Sequence, residues 1–189
     1  VLVLLKAGAN KETKDNYGST ALISACEQGH VDTARVLLEA GADKEAKDQD
    51  GKTALLICSG NGGVAVVQLL LSSGVDKDAK DNYGSTALIS ACEQGHVDTA
   101  RVLLDANVSK EAKDQWGNTA LDHAENEDVK RLLRERGAGG WTALHCAVVS
   151  GTLTAARLQE LMASSGDSAI EARTADGKTA LLQAASEDH

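Results

Sequence analysis

Cys26 stands four residues before His30, and the same pair recurs as Cys92 and His96. A thiolate and an imidazole at i and i+4 share one helix face and would supply half of a tetrahedral zinc site. Gly29 breaks the helix inside the pair, and no second pair lies nearby, so no metal is expected. His145 beside Cys146 sets a base next to a thiol, yet no third orienting group or oxyanion-hole motif accompanies them. Gly60-Asn61-Gly62-Gly63 has the glycine content of a phosphate loop without its Gly-Lys-Ser/Thr ending, and reads as a locally loose turn. The inventory points to no catalytic residue, no cofactor and no small-molecule substrate.

The elements that would hold such residues follow from composition. The 189 residues include no Pro, no Phe, two Trp and two Tyr, with 42% hydrophobic and 25% charged residues. A core of this composition is built from Leu, Val, Ile, Ala and the four Cys, in many thin layers of similar side chains. The net charge of -9 repels phosphate backbones and anionic headgroups, which argues against nucleic acid. Apolar runs such as Val1 to Leu5 and Val64 to Leu71 fall far short of the ~20 residues of a membrane span. The chain opens in an apolar run without a start Met or basic leader, which suggests a segment of something longer.

Self-similarity determines the architecture. Lys14 to Leu38 is repeated letter for letter as Lys80 to Leu104, 66 residues on, and a weaker copy halfway sets the period at 33. Glycines 18, 51, 84, 117, 140 and 177 open successive units. Within a unit, Thr20 is placed to N-cap a short helix carrying Leu22, Ile23, Ala25 and Cys26. Gly29-His30 interrupts it, and Asp32 marks a second helix start whose apolar face is Val31, Ala34, Val36, Leu37 and Leu38. Gly41 is a C-cap glycine, and Asp48-Gln49-Asp50-Gly51 matches a type I turn.

Gly-x-Thr-x-Leu-x-x-Ala, then Gly-His, then Leu-Leu-x-x-Gly-Ala-Asp: these residues resemble the ankyrin repeat over nearly the whole chain. The resemblance implies an all-α repeat, an ankyrin-type α-solenoid of stacked helix–turn–helix units with β-hairpin fingers. The family's Thr-Pro-Leu-His is Thr-Ala-Leu here, and its His survives only as His145, so Thr–His hydrogen bonding is expected to be missing elsewhere. Val1 to Gly8 matches a lone second helix and Thr179 to Ser186 a lone first helix, and neither end resembles a polar cap, so the array is expected to continue in both directions. The unit at Gly117 is short and the one at Gly140 is long, with extra residues around Leu161 to Ser168. The expected organisation is therefore a repeat array over 1–136 and an irregular continuation over 137–189, with a kink at 137–140.

The four Cys fall on first helices, with Cys26 and Cys92 two repeats or roughly 20 Å apart, beyond disulfide reach. They read as reduced, buried core residues, which fits an intracellular, cytoplasmic setting. The finger charges form columns, Lys11, Lys44, Lys77 and Lys110 in one and Lys14, Lys47, Lys80 and Lys113 in another, and read as a solvated face. Glu12, Glu45, Asp78 and Glu111 form an acidic column, as do Asp15, Asp48, Asp81 and Asp114. Many family members carry a hydroxylatable Asn where Glu45 stands, and no such modification is expected here.

Tyr17, Tyr83 and Trp116 each precede a turn glycine and Trp141 follows one. Rings at finger tips either anchor a partner or stiffen the array by packing on the next finger. The resemblance assigns a concave, partner-facing surface to Asn16, Tyr17, Ser19, Glu27 and Gln28, then Gln49, Asp50, Lys52 and Asn61. It continues with Asn82, Tyr83, Ser85, Glu93 and Gln94, then Gln115, Trp116 and Asn118. The expected function is non-catalytic binding of another protein of basic or mixed charge. The alternative is the recruiting arm of a larger enzyme or channel.

Overall fold

A computed structural model of the chain describes residues 1–140, 143–149, 172–174 and 177–180. Contacts divide the chain into two compact units, Val1–Val129 and Lys130–His189.

The first unit is a stack of helix pairs. After α1 (Leu2–Lys6), the first helices are α2 (Ala21–Glu27), α4 (Ala54–Gly60), α6 (Ala87–Glu93) and α8 (Ala120–His123). Each of the first three is followed by a second helix: α3 (Val31–Glu39), α5 (Val64–Ser72) and α7 (Val97–Asp105). α4 packs on α2 and α6, α6 also packs on α8, and α5 packs on α3 and α7, so every layer rests on its neighbours. A first helix lies between its two neighbours and its own partner, and α6 accordingly buries Ala87, Leu88, Ile89, Ala91 and Cys92. The more peripheral α7 buries Thr99, Ala100 and Leu103. Aliphatic side chains fill each layer, and the exposed large apolar residues are Val1 to Leu4 and the rings of Tyr17, Tyr83 and Trp116.

Local chemistry sets the helix ends. Thr20 and Thr86 Oγ1 accept from Ile23 and Ile89 N–H at 3.4 and 3.3 Å. Thr53 departs from this pattern: its hydroxyl is buried without a hydrogen-bond partner. At α8 the cap runs through Asp122, whose carboxylate accepts from both Thr119 N–H and Thr119 Oγ1 at 2.8 Å. α3 ends in a Schellman arrangement, with Gly41 N–H donating to Leu38 O and Ala42 N–H to Leu37 O, both at 2.9 Å. Asn107 occupies the same left-handed position after α7, at φ 58°.

The fingers differ from the expected β-hairpins: among the described residues there is no strand. The turns form, with Gly18, Gly51, Gly84 and Gly117 N–H donating to Asp15, Asp48, Asp81 and Asp114 O at 3.1–3.2 Å. Each finger's two arms are joined by one backbone bond, Asp15, Asp48, Asp81 and Asp114 N–H donating to Ser19, Lys52, Ser85 and Asn118 O at 3.0–3.1 Å. Asp15 Oδ1 accepts from Tyr17 and Ser19 N–H at 2.8 Å, so the side chain takes a donor that a longer ladder would use. Adjacent fingers are joined by single backbone bonds such as Gln49 N–H to Tyr17 O at 3.0 Å.

The charge columns are also more than a solvated face. Lys14, Lys47 and Lys80 Nζ donate to Lys47, Lys80 and Lys113 O, each 33 residues on, at 2.7–2.8 Å. Lys44 and Lys77 donate to Ser73 and Ala106 O, while Glu12, Glu45 and Asp78 accept from Asp43, Asp76 and Ser109 N–H. The columns therefore tie each repeat to the next.

The second unit contains most of α9 (Glu127–Glu135, which begins at the boundary), a 3₁₀ turn (Ala138–Gly140) and α10 (Ala143–Val149). Gly137, Gly139 and Gly140 all have positive φ, a backbone region that favours glycine. His145 is fully buried and its Nε2 lies 3.2 Å from Lys178 O. The extra residues around Leu161 to Ser168, and Trp141, lie outside the described residues.

Candidate functional site

One face of the first unit carries two adjoining recesses between the finger tips and the ends of the first helices. The larger, of about 510 Å³, is lined by Tyr17, Ser19, Glu27, Asp50, Lys52, Asn61, Glu93 and Gln94. The smaller, of about 220 Å³, is lined by Lys52, Tyr83, Ser85, Glu93 and Trp116. Eleven of the expected partner-facing residues thus come together, with Lys52 and Glu93 shared. Asn16, Gln28, Gln49, Asn82, Gln115 and Asn118 line neither recess. All of the expected residues keep access to solvent, as binding requires.

Several amides among them hold the array together. Gln49 Nε2 donates to Asn16 O at 2.8 Å, Asn82 Nδ2 to Gln49 O at 3.0 Å, and Asn61 Nδ2 to Glu27 O at 3.2 Å. These links fix the spacing between fingers and orient the rings at their tips.

Tyr83 and Trp116 stack with ring centroids 6.3 Å apart and planes 7° apart. Parallel rings in contact are worth about 0.5–1.5 kcal/mol beyond area burial, so the stack stiffens two adjacent fingers. It does not hide them: Tyr83 is 47% and Trp116 66% exposed. Tyr17, identical in local sequence to Tyr83 but with Asp50 on the next finger, is 76% exposed.

Sequence reasoning missed His123, which meets Asp114 of the acidic column beside this stack. His123 Nε2 lies 2.7 Å from Asp114 Oδ2, and Asp114 Oδ1 accepts from Trp116 and Asn118 N–H at 2.9 Å. Burial alone pushes the Asp114 carboxyl up, but hydrogen bonds from His123, Asn118 and Trp116 outweigh it and hold its pKa below the usual Asp range. The pair ties the Trp116 finger to α8. A signal existed in the sequence, since His123 occupies the position of Ser24, Ile57 and Ser90 in the other units.

Carboxylates dominate both recesses. Asp15 and Asp48 join Glu27, Asp50 and Glu93 in the larger one, and Asp81 and Asp114 join Glu93 in the smaller. Lys52, the ammonium between them, lies 3.7 Å from Asp50.

The Cys–His pairs do not act together. His96 Nε2 lies 3.0 Å from Gly60 O in the preceding repeat, while Cys92 faces the core. His30 in the identical first copy is exposed. Cys26, Cys58 and Cys92 are buried and free, and burial pushes the Cys26 and Cys92 thiols up to about 12 and Cys58 higher still. Gly60-Asn61-Gly62-Gly63 is a hydrogen-bonded turn rather than a loose one, with Gly63 N–H donating to Cys58 O at 2.9 Å. Among the described residues no group of three or more His, Cys, Asp or Glu is placed to hold a metal, and no helix is long and apolar enough to cross a membrane.

Helix pairs stacked at a fixed period and joined by turn fingers define an all-helical repeat array. The family model for ankyrin repeats (3 copies) matches residues 1–81 and 61–139, and the chain belongs to the ankyrin repeat family. No curated protein matches the chain. Ankyrin repeats are in general protein–protein interaction modules.

Proposed function

We propose that this chain is a non-catalytic scaffold that binds another protein across the finger tips and first helices of its concave face. The observation that carries this reading is the exposed Tyr83–Trp116 stack standing over acidic recesses. Rigid aromatic rings give contact area at little entropic cost, and the carboxylates favour a partner with a basic surface. The inter-repeat links through Lys47, Asn82 and their equivalents support rigid presentation of that surface. The same reading keeps 1–136 as the regular array and 137–189 as its irregular continuation. The positive φ at Gly137, Gly139 and Gly140 and the family match ending at 139 support it. A cytoplasmic setting fits the free, buried thiols.

Affinity capture from lysate with the wild-type chain and with Tyr83→Ala/Trp116→Ala tests the proposal. Proteins retained by the wild type are expected to be lost from the variant. Retention of the same set at the same level overturns it.

A further inference from the structure

We infer that the recess formed by Tyr83, Trp116 and Glu93 receives one cationic side chain, arginine or lysine, from an extended segment of the protein partner. The inference rests on the concave-face reading above and names what one part of that face recognises.

Size and charge lead to it together. A recess of about 220 Å³ is below the roughly 300–1,000 Å³ of small-molecule sites, and suits a single side chain. Its rim carries a parallel ring pair that stays largely exposed, and ring faces attract cations. Of the carboxylates around it, Asp81 is engaged by the N–H groups of Tyr83 and Ser85, and Asp114 by His123, Trp116 and Asn118. Glu93 is exposed and has no ion-pair partner among the described residues. Lys52, which also lines the recess, is drawn toward Asp50. A cation entering here therefore meets a ring face and an uncompensated carboxylate at once.

The chain supplies its own control. Tyr17, Ser19 and Glu27 repeat Tyr83, Ser85 and Glu93 in an identical stretch, but Asp50 replaces Trp116 on the following finger. The ring pair is missing there, so the same subsite does not form at the first copy.

The test uses three blocked amino acids as probes, Nα-acetyl-arginine amide, Nα-acetyl-lysine amide and the neutral Nα-acetyl-citrulline amide. The readout is the Trp116 indole N–H resonance, assigned with Trp116→Phe. Saturable movement is expected with the arginine or the lysine probe and none with citrulline. Glu93→Gln weakens that binding about fivefold or more, while Glu39→Gln, exposed on α3 and outside both recesses, leaves it unchanged. Equal movement with citrulline, no saturable movement with either cation, or an unchanged affinity in Glu93→Gln overturns the inference. If the probes fail while Tyr83→Ala/Trp116→Ala still loses captured partners, the concave-face reading stands and the cation subsite alone falls.

Discussion

Gly62 and Gly29 occupy equivalent turns between the helices of two successive repeats, at φ +74° and +69°, yet replacing them by Ala has different expected costs. An L-residue in the left-handed region costs roughly 1–2 kcal/mol, and nothing lies within 4 Å of a Cβ at Gly29. Gly29→Ala therefore carries the backbone cost alone. A Cβ at Gly62 would stand 2.8 Å from His96 Nδ1 and 2.9 Å from Cε1. The imidazole must swing away and give up Gly60 O, now 3.0 Å from Nε2. Losing that contact adds about 1 kcal/mol, so Gly62→Ala is expected to cost roughly 2–3 kcal/mol. Urea unfolding followed by circular dichroism measures both. In a His96→Ala background the Gly62→Ala penalty falls to the Gly29→Ala value. Equal penalties for the two single variants, or no relief from His96→Ala, would refute the idea that His96 braces one repeat against the loop before it.

Other consequences follow from the same geometry. Asn107 holds a left-handed C-cap position at φ 58°, so Asn107→Gly is expected to stabilise by up to about 1 kcal/mol and Asn107→Ala to destabilise by about as much; thermal melts measure both. With their pKa values at about 12, Cys26 and Cys92 stay protonated at pH 8 and resist iodoacetamide until the chain unfolds, as does Cys58; mass spectrometry of alkylated protein gives the rates, and rapid native labelling of Cys92 contradicts the packing described for α6. Asp114 titrates below the usual 3.8, so its contribution to stability is fully present above that value and is lost as the pH falls through the lower folded pKa. Asp114→Ala should flatten the stability profile in that acid range, and a profile parallel to wild type would contradict it.

Much of the architecture was legible in the sequence because the 33-residue period repeats its caps, apolar faces and turn glycines. Thr20, Gly29, Gly41 and Gly51 each do locally what their types require. The misreadings were of a different kind, since they concerned what a residue touches in the next repeat. Lys47 looks solvated in its own finger, and only stacking brings its ammonium to Lys80 O. Gly62 looks like a loose turn until His96 arrives from the following repeat. Two identical 25-residue stretches make the point most directly. Ala21 is exposed while Ala87 is fully buried, and Tyr17 stands alone while Tyr83 stacks on Trp116. For the candidate site, residue types placed the rings at the finger tips, but the recess beneath them and its His123–Asp114 support depend on neighbouring repeats.

The central claim is that the partner lies on the concave face. A photo-crosslinking residue at Gln94, beside the acidic recess, or at Arg101, exposed on α7, tests it directly in the captured complex. Crosslinks to the partner from position 94 and none from 101 are predicted. Crosslinks from 101 with none from 94 would contradict the account.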